Sequence, residues 1–134
     1  MSAGGGVVYL DSSALVKLVV PEPESAALRT ELVRWQRQAS SALARAEVIR
    51  ACARLDPGLR PIADRVVGAL YLVAVDDEIL DEAAALPPAE LRTLDAIHLA
   101  TAIRLEATLG AVISYDQRLL DAARGAGLPV SSPI

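Results

Sequence analysis

Short apolar runs that end on acids recur along the chain, and stretches with helical spacing fill the intervals. The first run, Val7-Val8-Tyr9-Leu10, has the β-branched character of a buried strand and leads straight into Asp11, with Ser12-Ser13 behind it as caps for a helix. Ala14 to Val20 is expected to be that helix, with Leu15, Leu18 and Val19 on one face and Pro21 as its stop. A second helix is expected from Pro23 to about Gln36, with Arg34 and Arg37 late in it, as the helix dipole favours. Ala39-Ser40 is a short strand candidate. Ser41 then suits the cap of a third helix, Ala42 to Leu55, and Asp56-Pro57-Gly58 is a turn. A fourth helix is expected over Pro61 to Tyr71. Leu72-Val73-Ala74-Val75 repeats the opening pattern and runs into Asp76-Asp77-Glu78, which opens a short helix ending near Leu86. Thr93 suits the cap of a long helix, Leu94 to Thr108, with Gly110 as its stop. Ala111-Val112-Ile113 is the next strand and closes on Ser114-Tyr115-Asp116. A last helix, Gln117 to Arg124, precedes Leu128-Pro129-Val130, an edge strand because it carries a proline.

Strands alternating with helices imply a three-layer α/β/α sandwich around a mostly parallel sheet. Right-handed crossovers put every strand's carboxyl end on the same side. With 134 residues the chain makes one domain, expected over 7–134, behind a flexible leader at 1–6. Apolar residues make up 53% of it and mean hydropathy is +0.37, yet there is no Phe and a single Trp, so the core is aliphatic. No run is long enough to span a membrane and no secretory signal is present, which makes the cytoplasm the expected compartment. The lone Cys52 excludes an internal disulfide and a cysteine metal site.

Asp11 and Asp116 each follow an apolar strand, so the fold brings them to one edge of the sheet, where open α/β sheets bind ligands. Asp95 sits in the first turn of a helix and can face that edge. Glu47 lies within the third helix beside an apolar stripe. Carboxylates at contact distance repel and raise one another's pKa. A divalent cation removes the conflict, and Mg²⁺ favours carboxylate oxygens, water and substrate phosphate. The formal charge of −4 argues against a broad basic surface for nucleic acid, but setting those four acids aside leaves 13 acids against 13 basic residues. Taken singly, each acid is also an ordinary solvated or capping residue, and the spacing is no local ligand motif.

Val8-Tyr9-Leu10-Asp11-Ser12-Ser13-Ala14-Leu15, Glu47 inside a helix, Leu94-Asp95-Ala96-Ile97-His98-Leu99-Ala100 and Val112-Ile113-Ser114-Tyr115-Asp116-Gln117-Arg118-Leu119 together resemble a PIN domain, and more narrowly the VapC toxins of bacterial VapBC toxin–antitoxin modules. The resemblance spans Val7 to about Val130. It implies an endoribonuclease dependent on Mg²⁺ or Mn²⁺, with Asp11, Glu47, Asp95 and Asp116 as the acidic quartet. Asp11, Asp95 and Asp116 would be the metal ligands, with Glu47 acting through water. Ser114 and Ser12 would support the site, Ser114 by bonding a phosphate or orienting Asp116. The same resemblance implies an RNA substrate, a VapB-like antitoxin as partner and a homodimer. The stretch between Asp56 and Pro88 ties to no family function.

Two alternatives stand beside this reading. One is a catalytically weak PIN domain whose main role is antitoxin binding. The other is a different Asp-based phosphoryl-transfer enzyme. Phosphatases of that kind need a second Asp where Ser13 stands, and receiver domains need a late Lys where this chain has only the early Lys17. The remaining candidates have plainer readings. His98 is expected to be a hydrogen-bonded packing residue, and Asp76, Asp77, Glu78, Asp81 and Glu82 to serve the dipole of a helix N-terminus. Trp35 is expected in packing or an interface, and Lys17, Arg34, Arg37 and Arg92 at the solvated surface. Leu15, Leu18, Val19, Leu28 and Leu32 are expected to form core, an antitoxin groove, or both.

Overall fold

A computed structural model describes residues 6–134; of the expected leader, residues 1–5 lie outside the described residues. Five strands, β1 (Val7–Leu10), β2 (Arg37–Ser41), β3 (Tyr71–Val73), β4 (Leu109–Ile113) and β5 (Val130–Ser131), form one sheet in the order β3-β2-β1-β4-β5. Every pairing is parallel. Seven α-helices connect them: α1 (Ser12–Val19), α2 (Ser25–Leu32), α3 (Ala44–Leu55), α4 (Arg60–Gly68), α5 (Asp77–Ala85), α6 (Thr93–Arg104) and α7 (Gln117–Gly125).

Strand alternation divides the core between two faces. Val8 and Leu10 of β1 and Ala111 and Ile113 of β4 point toward α1, α2, α3 and α4. Tyr9 and Val112 point the other way, against Ala102 of α6, and Ile79, Ile97, Leu99 and Leu119 extend that layer through α5, α6 and α7. The result is the expected three-layer sandwich. Both sides of β1 are sealed, with Val8, Tyr9 and Leu10 each 0% exposed, so the strand that carries Asp11 is held from above and below. Leu15, Val19, Leu28 and Leu32 are buried, which makes the space between α1 and α2 core. Among the described residues no helix is long and apolar enough to cross a membrane.

Several boundaries differ from the sequence reading, each for a tertiary reason. α2 stops at Leu32 because Arg37 is needed in β2, opposite Val7. Tyr71 leaves α4 for β3, opposite Ala39. α3 starts at Ala44, and Ser41 still serves its entry by accepting from the Leu43 N–H at 3.1 Å. α6 ends at Arg104 and a 3-10 turn, Glu106–Thr108, follows, with Glu106 in the left-handed region at φ 51°. Gly110 is therefore not a helix stop. It lies in β4 beneath the ring of Trp35, where a Cβ would stand 2.1 Å from Cζ3. Trp35 is thus a packing residue.

Candidate active site

The strand order reverses at β1, whose neighbours β2 and β4 lead away in opposite directions, and the crevice outside such a switch point is where open α/β sheets place ligands. Asp11 enters it from the end of β1. Its carboxylate, and not Ser12 or Ser13, caps α1, accepting from the Ala14 N–H at 3.0 Å through Oδ1. The Ser13 hydroxyl donates to the same oxygen at 2.7 Å, and the Ser114 hydroxyl donates to Oδ2 at 2.7 Å. Asp11 is only 4% exposed. Burial pushes its carboxyl above the ordinary value, against the pull of the Ser13 and Ser114 bonds.

Ser114 follows directly on the buried end of β4 and couples Asp11 to Asp116. Its oxygen accepts from the Asp116 N–H at 3.0 Å while its proton goes to Asp11. Asp116 caps α7 through Oδ1, which accepts from the Arg118 N–H at 2.9 Å. Its Oδ2 faces Arg92, whose Nη2 donates at 3.2 Å. The Nε of the same guanidinium donates to Asp95 Oδ2 at 3.4 Å, so the carboxylates of Asp95 and Asp116 lie within one guanidinium's breadth. Burial, and then the Asp116 charge, raise the Asp95 carboxyl, with Arg92 pulling it back.

Glu47 reaches the rim from the opposite layer. Its Oε1 accepts from the Ser12 hydroxyl at 2.5 Å and pairs with His98 Nε2 at 2.8 Å. Burial acts to raise Glu47, but the bonds from His98 and Ser12 outweigh it and hold the carboxyl below its ordinary value. His98 is hydrogen-bonded and buried, as expected, and its Nδ1 lies 2.6 Å from the Tyr9 hydroxyl. The imidazole is within electrostatic reach of Asp11, Asp95 and Glu47.

All four acids singled out in the sequence therefore reach one rim, from the ends of β1 and β4 and from α3 and α6. Ser114 sits between two of them, and Ser12 acts on Glu47. Asp76 stands apart, capping α5 at 2.9 Å and pairing with Arg104 at 3.0 Å, and the acids that follow it are exposed, in line with the dipole reading. Sequence reasoning missed three participants. Ser13 reads in the sequence as a helix cap, though a hydroxyl two residues past a strand-end Asp is a usable signal. Arg92 reads in the sequence as solvated surface, and Tyr9 only as part of a buried strand.

Among the described residues no three acid, histidine or cysteine side chains make a ready-built cage for a metal ion. The donors still fit a hard cation. They are carboxylate and hydroxyl oxygens without sulfur, and Mg²⁺ typically keeps several waters and takes one or two carboxylates. Asp95 and Asp116 already share a positive charge, that of Arg92. Asp11, Asp95 and Asp116 are the oxygens that could hold such an ion.

An open parallel sheet with an acid rim at its switch point defines the class: the PIN domain family model matches residues 8–125, and the chain belongs to that family. The particular members it is similar to are VapC proteins. It is 52% identical over 126 residues to Ribonuclease VapC46 of Mycobacterium tuberculosis (strain ATCC 25618 / H37Rv), covering 94% of this chain and 97% of that protein. Ribonuclease VapC47 of Mycobacterium tuberculosis (strain CDC 1551 / Oshkosh) is 39% identical over 132 residues, covering 95% and 97%. In fold the chain is similar to a toxin-antitoxin complex from Klebsiella pneumoniae, with a TM-score of 0.72 at 21% identity over 95% of this chain and 98% of that one. It is also similar to VapBC2 from Rickettsia felis bound to a promoter DNA fragment, with a TM-score of 0.71 at 12% identity over 96% and 99%.

Proposed function

We propose that this protein is an endoribonuclease dependent on Mg²⁺ or Mn²⁺, the toxin of a VapBC-type module, silenced by a VapB-like antitoxin and active as a homodimer. The observation that carries the reading is the convergence of four acids from four elements onto one rim, where three serines, a histidine and an arginine are spent holding them. The ribonuclease names of relatives 52% and 39% identical over nearly their whole length support the substrate class.

In this reading Asp11, Asp95 and Asp116 hold the cation. When bound, the cation acidifies a water and offsets charge growing on the phosphate. Ser13 and Ser114 fix both oxygens of Asp11, so its orientation is set before substrate arrives. Glu47, kept ionised by His98 and Ser12, orients the attacking water and takes its proton. That water displaces one RNA oxygen from phosphorus in line, and the departing oxygen leaves with a proton from solvent.

The test is cleavage of end-labelled RNA by the purified chain with Mg²⁺, with Mn²⁺ and with EDTA, beside Asp95→Asn. The expected result is cleavage that needs the cation and is lost in the variant. Cleavage that persists in EDTA, or equally in Asp95→Asn, removes the assignment. Light scattering of the purified protein, alone and with its antitoxin, checks the dimer and the partner.

A further inference from the structure

We infer that Tyr9 and His98 are positioning residues that set the direction of a hydrogen-bonded line, Tyr9 O–H to His98 Nδ1 and His98 Nε2–H to Glu47, which aims Glu47 from across the sheet. The inference rests on the nuclease reading for its kinetic consequence but not for its structure.

The direction follows from counting protons. Glu47 is held below the ordinary carboxyl value, so it is a carboxylate and only accepts; the 2.8 Å contact then requires a proton on His98 Nε2. In its neutral form the imidazole carries one N–H, which leaves Nδ1 as an acceptor facing a donor. The Tyr9 hydroxyl is 2.6 Å away and fully buried, and a phenol carries its proton at neutral pH. Ser40 and Thr101 also crowd the Tyr9 hydroxyl, but each has already committed its proton. Ser40 donates to the Leu10 carbonyl at 2.6 Å and Thr101 to the Ile97 carbonyl at 2.6 Å. Within this cluster Tyr9 supplies the proton that faces Nδ1. The hydrogen bond made by one ring nitrogen sets the state of the other, so the core hydroxyl and the rim carboxylate select the same tautomer.

Placement gives the line its purpose. Tyr9 lies on the α6 side of β1, whereas Glu47 belongs to α3 on the opposite layer. His98 reaches over the carboxyl edge of the sheet and ties the two. The Ser12 hydroxyl adds a second donor to the same Glu47 oxygen, Oε1. Both donors share that oxygen, so Oε2 is the one left to meet a water.

His98 is the single histidine of the chain, so its ¹⁵N ring signals need no assignment. In long-range ¹H–¹⁵N spectra of the wild-type protein, Nε2 is expected to be protonated and Nδ1 bare. Tyr9→Phe, which keeps the ring, takes the donor from Nδ1 and is expected to move the Nδ1 signal and lower kcat about tenfold with KM within about twofold. His98→Ala is expected to lose about 10–100-fold in kcat. His98→Gln, whose amide N–H stands near the place of Nε2–H, is expected to recover most of that loss. Thermal melts accompany each variant, because a merely structural role moves stability without favouring Gln over Ala in kcat. A proton on Nδ1 in the wild type, or equal kcat for His98→Gln and His98→Ala, overturns the inference. A wild-type protein that cleaves no RNA removes the nuclease reading alone, since the tautomer spectra of wild type and Tyr9→Phe still decide the line.

Discussion

Asp11→Asn should abolish cleavage while leaving the metal-free fold at least as stable. The wild-type carboxylate is 4% exposed and has three donors, Ser13 Oγ at 2.7 Å, Ala14 N at 3.0 Å and Ser114 Oγ at 2.7 Å. Those bonds do not make up for desolvation, because the carboxyl is still raised. Asparagine has the same outline and no charge. Its Oδ1 keeps the Ala14 and Ser13 bonds, and its amide N–H turns toward Ser114, whose own proton can swing to Ser13 Oγ at 3.4 Å. Lost charge-assisted bonding and relieved desolvation nearly cancel, so the variant is expected to be about 0–2 kcal/mol more stable at neutral pH, or up to about 6 °C in Tm for a domain of this size. The pH dependence has a fixed sign. With its folded pKa above the reference 3.8, Asp11 binds its proton more tightly in the folded state. Wild-type stability relative to Asn therefore falls as pH rises from 3.8 through the folded value, and the deficit is complete above it. Mg²⁺ at about ten times its dissociation constant should stabilise the wild type by about 1.4 kcal/mol and the variant not at all. Urea and thermal melts in EDTA and in Mg²⁺, run beside the RNA assay, measure all of this. A variant more than about 1 kcal/mol less stable in EDTA, or one that keeps the Mg²⁺ shift, would refute the reasoning.

Two further outcomes are expected. Arg92→Gln removes a side chain that is 65% exposed and competes for Asp95 and Asp116; two exposed ion pairs are together worth about 0.5–1.5 kcal/mol, so Mg²⁺ affinity by calorimetry should rise about 2–10-fold, and an unchanged or weaker affinity would show that Arg92 is no competitor. Gly110→Ala drives a Cβ to 2.1 Å from Trp35 Cζ3 and 2.6 Å from Cη2, while the Trp35 Nε1–H bond to Glu31 at 3.1 Å restrains the ring; the cost should be about 2–4 kcal/mol in urea melts, with a shift in the emission of the single tryptophan and relief by Trp35→Leu, and an unmoved midpoint counts against the packing described.

The framework was readable in the sequence wherever an apolar run carried the signal. β1, β4 and the acids that follow them stood out because both faces of these strands are buried, which leaves no polar alternation to dilute the pattern. β2 shows in the sequence only as the two-residue candidate Ala39-Ser40, short of its full span Arg37–Ser41. Arg37-Gln38-Ala39-Ser40-Ser41 looks polar, yet Ala39, Ser40 and Ser41 are all 0% exposed. Small residues let α-helices close over the strand, and Ser40 satisfies its hydroxyl on the Leu10 carbonyl at 2.6 Å. Hydropathy along the chain cannot register a bond made to the neighbouring strand. Gly110 failed for the same kind of reason. What needs a glycine there is the ring of Trp35, which arrives from the far side of β1.

The acids of the site were legible and their partners were not, and the partners divide the labour among the acids. Asp11 has three donors, and Glu47 has two short ones in Ser12 at 2.5 Å and His98 at 2.8 Å. Asp116 has backbone N–H groups on one oxygen and Arg92 on the other. Asp95 has, among the described residues, only the Arg92 bond at 3.4 Å, while burial and the Asp116 charge both press against its ionisation. A carboxylate whose surroundings press against its ionisation has the most to gain from a cation, and one already held ionised has the least. On that measure Asp95, raised and short of donors, gains most from a cation, Asp11 is raised despite its three donors, and Glu47, held below its ordinary value, gains least. That order is the one the proposed roles need, with Asp95 as a direct ligand and Glu47 acting through water, and it comes from hydrogen bonds between residues that no local motif connects.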